Sequence, residues 1–387
     1  MKEQEWRGQS RVCDFRDNTI QLLCIFSESI VAWNLGGNMQ AYIHRILLWA
    51  VFVATGVLLC SADGRAQGHW TKAADFPEPM EETHAVTANG RLYVMGGFLP
   101  PGIAPGIVYE YDPATDKWTK KKNMPRPMHH MAMAEYQGKI YVIGGLVRGP
   151  ERGGWAPIDD AWEYDPSNDS WKSLPPMPGG KRGSAIAEEV GGKIYVIGGV
   201  STNPGSKEVA IYANRPHRSV GTNEAYDPAT QKWETRNPMP TARNHAASGA
   251  VDGKIYVIAG RVGGAMIPIA SNTDIVEVYD PATDQWGALR QRMPSARSAV
   301  AYGTYAGKIY VAGGETQSTV VNGVFRALEA YDPATNSWSI MPSMPIGRHG
   351  LSGSFIDNGF HVVTGQIFNG EGEAFSSKSH DVFVVDK

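Results

Sequence analysis

Gly253-Lys-Ile-Tyr-Val-Ile-Ala-Gly260 is the stretch on which the reading of this chain turns. Its middle is a run of β-branched and aromatic residues, apolar on both faces and bounded by glycine. Such a run reads as a strand buried from both sides. Five variants recur: Arg91-Leu-Tyr-Val-Met-Gly-Gly97, Lys139-Ile-Tyr-Val-Ile-Gly-Gly145, Lys193-Ile-Tyr-Val-Ile-Gly-Gly199, Lys308-Ile-Tyr-Val-Ala-Gly-Gly314 and Phe360-His-Val-Val-Thr-Gly365. Repetition at a period of about fifty residues signals one closed array rather than separate domains.

Outward from each copy the grammar is constant. A Met-Pro pair opens the unit (Met124, Met177, Met239, Met293, Met344; Phe76-Pro77 in the first), and a strand of small residues follows, as in Asn244-His-Ala-Ala-Ser-Gly-Ala-Val251. Next comes a two-residue turn: Asn89-Gly90, Gln137-Gly138, Gly191-Gly192, Asp252-Gly253, Ala306-Gly307 and Asn358-Gly359. Glycine in second place suits a hairpin because it accepts positive φ. After the apolar strand and a variable loop, a third strand ends in Tyr-Asp-Pro, beginning at Tyr111, Tyr164, Tyr226, Tyr279 and Tyr331. A fourth strand starts at Trp118, Trp171, Trp233, Trp286 and Trp338. Four antiparallel strands per unit, repeated, predict an all-β propeller with six blades.

Counting predicts how the ring closes. Six glycine-ended strands face only five Tyr-Asp-Pro segments. The last unit stops at a third strand, Asp381-Val-Phe-Val-Val-Asp386, and His69-Trp-Thr-Lys72 is a fourth strand without a blade. Trp70 is therefore expected to complete the sixth blade, joining the two ends of the propeller.

Paired glycines, Tyr-Asp-Pro and spaced tryptophans resemble the kelch repeat family over 69–387. The departures are Ala259 and Thr364 in place of the first glycine, and the absent Tyr-Asp-Pro of the last unit. In plan the chain is also similar to six-bladed exported N-acetylneuraminate mutarotases.

Net charge is −3 with 19% charged residues, which gives no sign of a nucleic-acid partner. Cys13, Cys24 and Cys60 are the only cysteines, so the repeats hold no disulfide, thiol nucleophile or cysteine metal site. A galactose-oxidase-like copper centre, which needs a Tyr-Cys crosslink, is excluded on that ground. No cofactor is called for. No metal site is expected either, since the histidines form no His-x-x-x-His or carboxylate cluster.

His44-Arg45 precedes the apolar run Ile46–Cys60, and Ser-Ala-Asp-Gly-Arg-Ala-Gln67 follows. That order reads as a secretory signal over 39–66, the run being short of the about 20 residues of a membrane span. An uncleaved anchor is the alternative. Translation is expected to start at Met39, leaving 1–38 outside the product; a long n-region is the other reading. The propeller, 67–387, is expected to be exported (periplasmic or secreted), monomeric and off the membrane after cleavage. An adaptor role in ubiquitin ligation does not suit an exported chain.

Strand alternation puts the start of strand one, the end of strand two and the loop after it on one face. Arg182, Arg243, Arg297 and Arg348 begin four first strands there, Arg182 with a one-residue gap; Met80 and Met128 match them in the first two units. Guanidinium groups converging on the channel mouth about 10 Å apart would repel by roughly 1.7 kcal/mol per pair at a dielectric near 20, so such a ring is tolerable only with water, internal carboxylates or an anionic ligand. In ubiquitin-ligase adaptors of the kelch family, arginines that look equivalent grip acidic peptides. The resemblance therefore implies an acidic sugar, peptide or protein at the mouth. The other reading is that these arginines bond to backbone carbonyls and hold the ring together.

The residue after the terminal glycine is Phe98, Leu146 and Val200 in three blades, but Arg261, Glu315 and Gln366 in the others. With Asn244, His245 and His349 this suggests a polar pocket on the side of blades four to six, and His129-His130 opens the second blade. The resemblance to mutarotases implies Glu315 as proton acceptor of a sugar epimerase, clamped by Arg243, Arg297 or Arg348; otherwise it is a rim glutamate paired to Arg261. The longest loop, Val200–Glu224, is either a binding loop or an unstructured insertion.

Overall fold

The computed structural model describes residues 68–99, 103–265, 271–317, 322–368 and 375–386. The signal expected over 39–66, the start expected at Met39 and the three cysteines lie outside these residues. The unit Ala66–Lys387 is built from six four-stranded antiparallel sheets, with no α-helix among the described residues. Blade 1 consists of strands Glu81–Ala88, Arg91–Phe98, Val108–Asp112 and Lys117–Lys120. The next four blades repeat it, with innermost strands Ala132–Tyr136, Ile186–Val190, Ala247–Val251 and Ala301–Tyr305.

Blade 6 closes the ring as the strand count predicts. Ser352–Ile356, Gly359–Val363 and His380–Val385 are joined by Gly68–Lys72, in a register that sets Trp70 opposite Phe383. Phe383 stands where the other blades carry the tyrosine of Tyr-Asp-Pro. Because the chain enters this blade from its other end, no turn joins strands three and four, and the Asp-Pro that builds that turn has no task here. One turn differs from expectation. Ile356 pairs with Gly359, so the hairpin residues are Asp357-Asn358, and Gly359 already belongs to the second strand.

The repeated residues bind blade to blade. The buried tyrosines Tyr111, Tyr164, Tyr279 and Tyr331 donate their hydroxyls to Asp116, Asp169, Asp284 and Asn336 at 2.6–2.7 Å. The same four side chains accept backbone N–H groups from the preceding blade. Every outer-strand tryptophan, including Trp70, donates its indole N–H to a carbonyl of the preceding blade at 2.8–3.2 Å. Blade 3 is the exception that shows the logic. Gln231 replaces the aspartate, the hydroxyl of Tyr226 has no partner, and the facing residue is Pro175, which has no N–H to offer. The apolar cores lie between blades, as where Tyr141 and Ile143 meet Ile194, Val196 and Tyr226. Each fully buried aromatic contributes roughly 1.5–3 kcal/mol.

Blade 6 also carries a buried histidine pair. His380 donates from Nδ1 to the carbonyl of Ala74 at 3.1 Å, so its Nε2 accepts from Nδ1 of His361 at 2.8 Å. Burial pushes the His361 imidazole down to about 4 and that of His380 down to about 3. Both are neutral when folded, whereas an unfolded histidine titrates near 6.5. The unfolded chain therefore binds more protons below pH 6.5, and stability present above that pH falls as pH drops towards 4. His380→Asn keeps an N–H for Ala74 without a titrating ring. Chemical denaturation between pH 6.5 and 4.5 should show its stability falling less steeply than the wild type's by about 1.4 kcal/mol per pH unit. Equal slopes would rule the pair out as an acid-labile element.

Candidate functional site

The first strands begin around the central channel, and two rings of side chains surround its mouth. The outer ring is Glu81, His129, Gly183, Asn244, Ser298 and His349, each paired in its own blade with the residue after the terminal glycine. The inner ring is Glu82, His130, Ser184, His245, Ala299 and Gly350, all with φ between 51° and 58°. Backbone bonds run round the axis through these six. Glu82 N–H reaches Gly350 O at 2.7 Å, Gly350 reaches Ala299, Ala299 reaches His245, His245 reaches Ser184, and Ser184 reaches His130. The left-handed conformation turns each strand start into this belt. It costs a non-glycine residue about 1–2 kcal/mol, so the side chains held there are held firmly.

The four arginines do not reach the channel. Arg182, Arg243, Arg297 and Arg348 are at most 1% exposed and lie inside their blades. Each pairs with a carboxylate on the third strand of its own blade. Arg182 meets Glu224 at 2.7 Å, Arg297 meets Glu329 at 2.6 Å, Arg348 meets Asp381 at 2.6 Å, and Arg243 meets Glu277. Each also donates to a carbonyl of its second strand: Val196, Val257, Val311 or Val362. Counted back from the hairpin the four are in register with Met80 and Met128, so the gap at Arg182 belongs to the preceding connector. Where methionine replaces arginine, the third-strand carboxylate is replaced as well, by Tyr109 in blade 1 and Trp162 in blade 2. The arginines are thus half of a core pair that comes in an ionic and an apolar version. Burial lowers the basicity of all four, in Arg348 to about 10, while the carboxylates oppose the shift.

The residues that do meet at the mouth come from all sides of it. Arg261 donates to Ser298 Oγ at 2.8 Å and pairs with Glu315, whose other oxygen is 3.7 Å from His349 Nε2. Of the two readings of Glu315, this is the glutamate paired to Arg261. Asn244 accepts from Nδ1 of His245. Opposite stand Glu81, Glu82 and His130, with His130 Nε2 3.1 Å from Glu82 Oε2. Burial, then the neighbouring Glu82 and Glu315, pushes the Glu81 carboxyl up to about 8. Burial also acts to raise Glu82, but His130 beside it, with His245 and His349, draws that carboxyl well below its usual range. Burial holds His245 well below the usual imidazole range. The pocket expected at blades four to six therefore extends to blades 1 and 2.

Glu81 and Glu82 were not legible as site residues. Each hairpin fixes the register, and stacking the six units eight residues before the second turn residue would have shown Glu82, His130 and His245 at one position, with small residues in the other three units. Nor is the loop Val200–Glu224 an unstructured insertion. Val200–Thr202 pairs with His217–Ser219, and Ile211 exchanges two backbone bonds with Trp155 of blade 2.

The repeat architecture is matched by known families. A family model described as the KLHDC2/KLHL20/DRC7 Kelch-repeats domain matches residues 66–215, and one for the Kelch motif matches 242–286 and 296–345. The chain is a kelch-repeat β-propeller. Kelch-like protein terF of Aspergillus terreus is 30% identical to this kelch propeller over 310 residues, 77% of this chain and 53% of terF. Kelch-like protein 23 of Homo sapiens is 27% identical over 279 residues, 71% of this chain and 44% of that protein. The kelch propeller thus spans about half the length of these relatives. A solved structure of YjhT matches with a TM-score of 0.66 at 19% identity, over 81% of this chain and 97% of that one, a likeness of fold.

Proposed function

We propose that this is an exported binding propeller that docks an acidic segment of a partner protein on its loop-bearing face. The observation that carries this reading is the distribution of exposed apolar side chains. Of the eight large ones among the described residues, seven (Ile103, Val209, Val262, Leu289, Ile346, Ile367 and Phe368) lie in the loops after strand two or strand four, and one, Ile340, lies in a strand. Both kinds of loop emerge on the face where strand one begins. The opposite face has only tight turns. Exposed apolar groups gathered on one face mark an interaction surface, with Phe368 the natural anchor.

Charge supports the acidic partner. The loops over 147–158 and 200–222, tied together at Trp155 and Ile211, carry Arg148, Arg152, Lys207, Arg215 and Arg218 against Glu151 and Glu208 alone. Arg215 holds both of those glutamates, which leaves the outer cations facing solvent. The basic surface is therefore in these loops rather than in the four first-strand arginines. Export rests on the apolar run Ile46–Cys60. An epimerase would need Glu315 free to take a proton, and its pairing with Arg261 favours the binding reading.

Photocrosslinking amino acids placed at Val209, Phe368 and Ala114 of the full chain test the proposal in the source cell. Val209 and Phe368 should trap the same protein, Ala114 on the turn face should not, and Arg152→Glu with Arg218→Glu should abolish the adduct. Equal trapping from Ala114, or an adduct indifferent to charge reversal, would overturn it.

A further inference from the structure

Three of the six inner-ring residues are metal-ligating types, and three are small. Glu82, His130 and His245 come from blades 1, 2 and 4, and their ligating atoms lie within 4.8 Å of one another. Ser184, Ala299 and Gly350 fill the remaining positions and leave a cavity of about 60 Å³ at the axis.

We propose that this ring is a binding site for one divalent first-row transition ion, of the zinc class, held by His130 Nε2, His245 Nε2 and a Glu82 carboxylate oxygen. Two imidazoles and a carboxylate are a donor set for such ions, and three protein ligands leave positions open.

Two further observations point the same way. The first is the fixing of the imidazoles from behind. His245 donates from Nδ1 to the amide oxygen of Asn244, which leaves the lone pair on Nε2 facing the axis. His130 is bonded through Nδ1 to His129, again leaving Nε2 inward. A hydrogen bond on the far nitrogen is how ligating histidines are oriented and made more basic. His129 in turn is gripped by Phe98 and Trp155, ring centroids 5.0 and 4.9 Å away. The second is a weak contact at the ring. His130 is 1% exposed, and its Nε2 stands 3.1 Å from Glu82 Oε2 without the alignment of a hydrogen bond. A buried nitrogen held this loosely beside a carboxylate and a second imidazole is better satisfied by a cation shared among the three.

Geometry sets what must move. At metal distances of about 2.1 Å, tetrahedral ligand atoms stand about 3.4 Å apart, so the side chains close by about 1 Å on the ion. The backbone belt need not move, since all three act through rotatable side chains. Entry is from the mouth, where the Glu82 side chain keeps 15% of its exposure. A bound ion would tie blades 1, 2 and 4 together across the axis, a cross-brace that the backbone belt cannot supply.

The test uses the full chain, stripped with chelator and dialysed against zinc. The wild type should take up one ion, melt a few degrees higher with zinc, and show by X-ray absorption a shell of two imidazoles with oxygen. His245→Gln and Glu82→Gln should each weaken uptake by about 100-fold. His69→Gln, on an exposed outer strand, should take up zinc as the wild type does. No uptake by the wild type overturns the site. So does uptake undiminished in both ring variants, or a shell containing sulfur, which would place the ion at the amino-terminal cysteines. If a ring variant does not fold, the wild-type shell decides alone: two imidazoles support the site, and fewer overturn it.

Discussion

Arg243→Met should destabilise the propeller by about 3–5 kcal/mol, and adding Glu277→Tyr should recover most of that loss. The single change leaves the Glu277 carboxylate, 3% exposed, with no cation and only the Thr241 hydroxyl at 2.8 Å. Breaking a buried ion pair from one side costs this much because the remaining charge cannot return to water. The double change installs the pair that blade 1 already uses, Met80 with Tyr109. Well-packed apolar replacements of buried pairs are often neutral or stabilising. Urea denaturation of both single variants and the double variant, analysed as a cycle, measures the coupling. An Arg243→Met protein as stable as the wild type would show that the arginine serves something other than its blade. The same comparison separates a core role from a ligand role without any ligand in hand.

The second large effect concerns closure. Deleting residues 68–75 should abolish cooperative unfolding, and Trp70→Ala should cost about 3–5 kcal/mol. The strand Gly68–Lys72 supplies the whole outer edge of blade 6. Trp70 packs on Phe383 with ring centroids 5.3 Å apart and donates to the carbonyl of Pro342 in blade 5 at 2.8 Å. Ala74 does as much for the next joint. Its N–H is accepted by Asp116, and its carbonyl accepts from Trp118 and from His380. The deletion thus cuts blade 6 from both neighbours and bares the edge of His380–Val385 to other chains. Differential scanning calorimetry of the truncated chain should show a broad or absent transition and aggregation on heating. A sharp melt at the wild-type temperature would mean that the ring closes without its first strand.

Much of this was legible because the repeats obey local rules. Alternation, hairpin glycines and Tyr-Asp-Pro act over a few residues, so six blades and the closing role of Trp70 could be counted from the chain. Even the gaps in the pattern carried meaning: the sixth unit lacks Tyr-Asp-Pro because its third and fourth strands come from opposite ends of the propeller. The sequence also placed Arg261, Glu315, Asn244, His245 and His349 on one face, and the fold brings these five to the channel mouth.

What the sequence could not decide was direction and partnership. Arginines at the head of four first strands read equally well as a ring around the channel or as supports. Only the tertiary structure shows the carboxylates of Glu224, Glu277, Glu329 and Asp381 waiting inside these four blades, 32 to 42 residues away. Burying a guanidinium demands such a partner, and the partner's distance in sequence hides it. The ring of Glu82, His130 and His245 was hidden for the same reason. Its members sit in three blades, and no linear motif joins them. They meet because a left-handed turn at the same place in every blade aims one side chain per unit at a common axis, and a common axis exists only once the ring has closed.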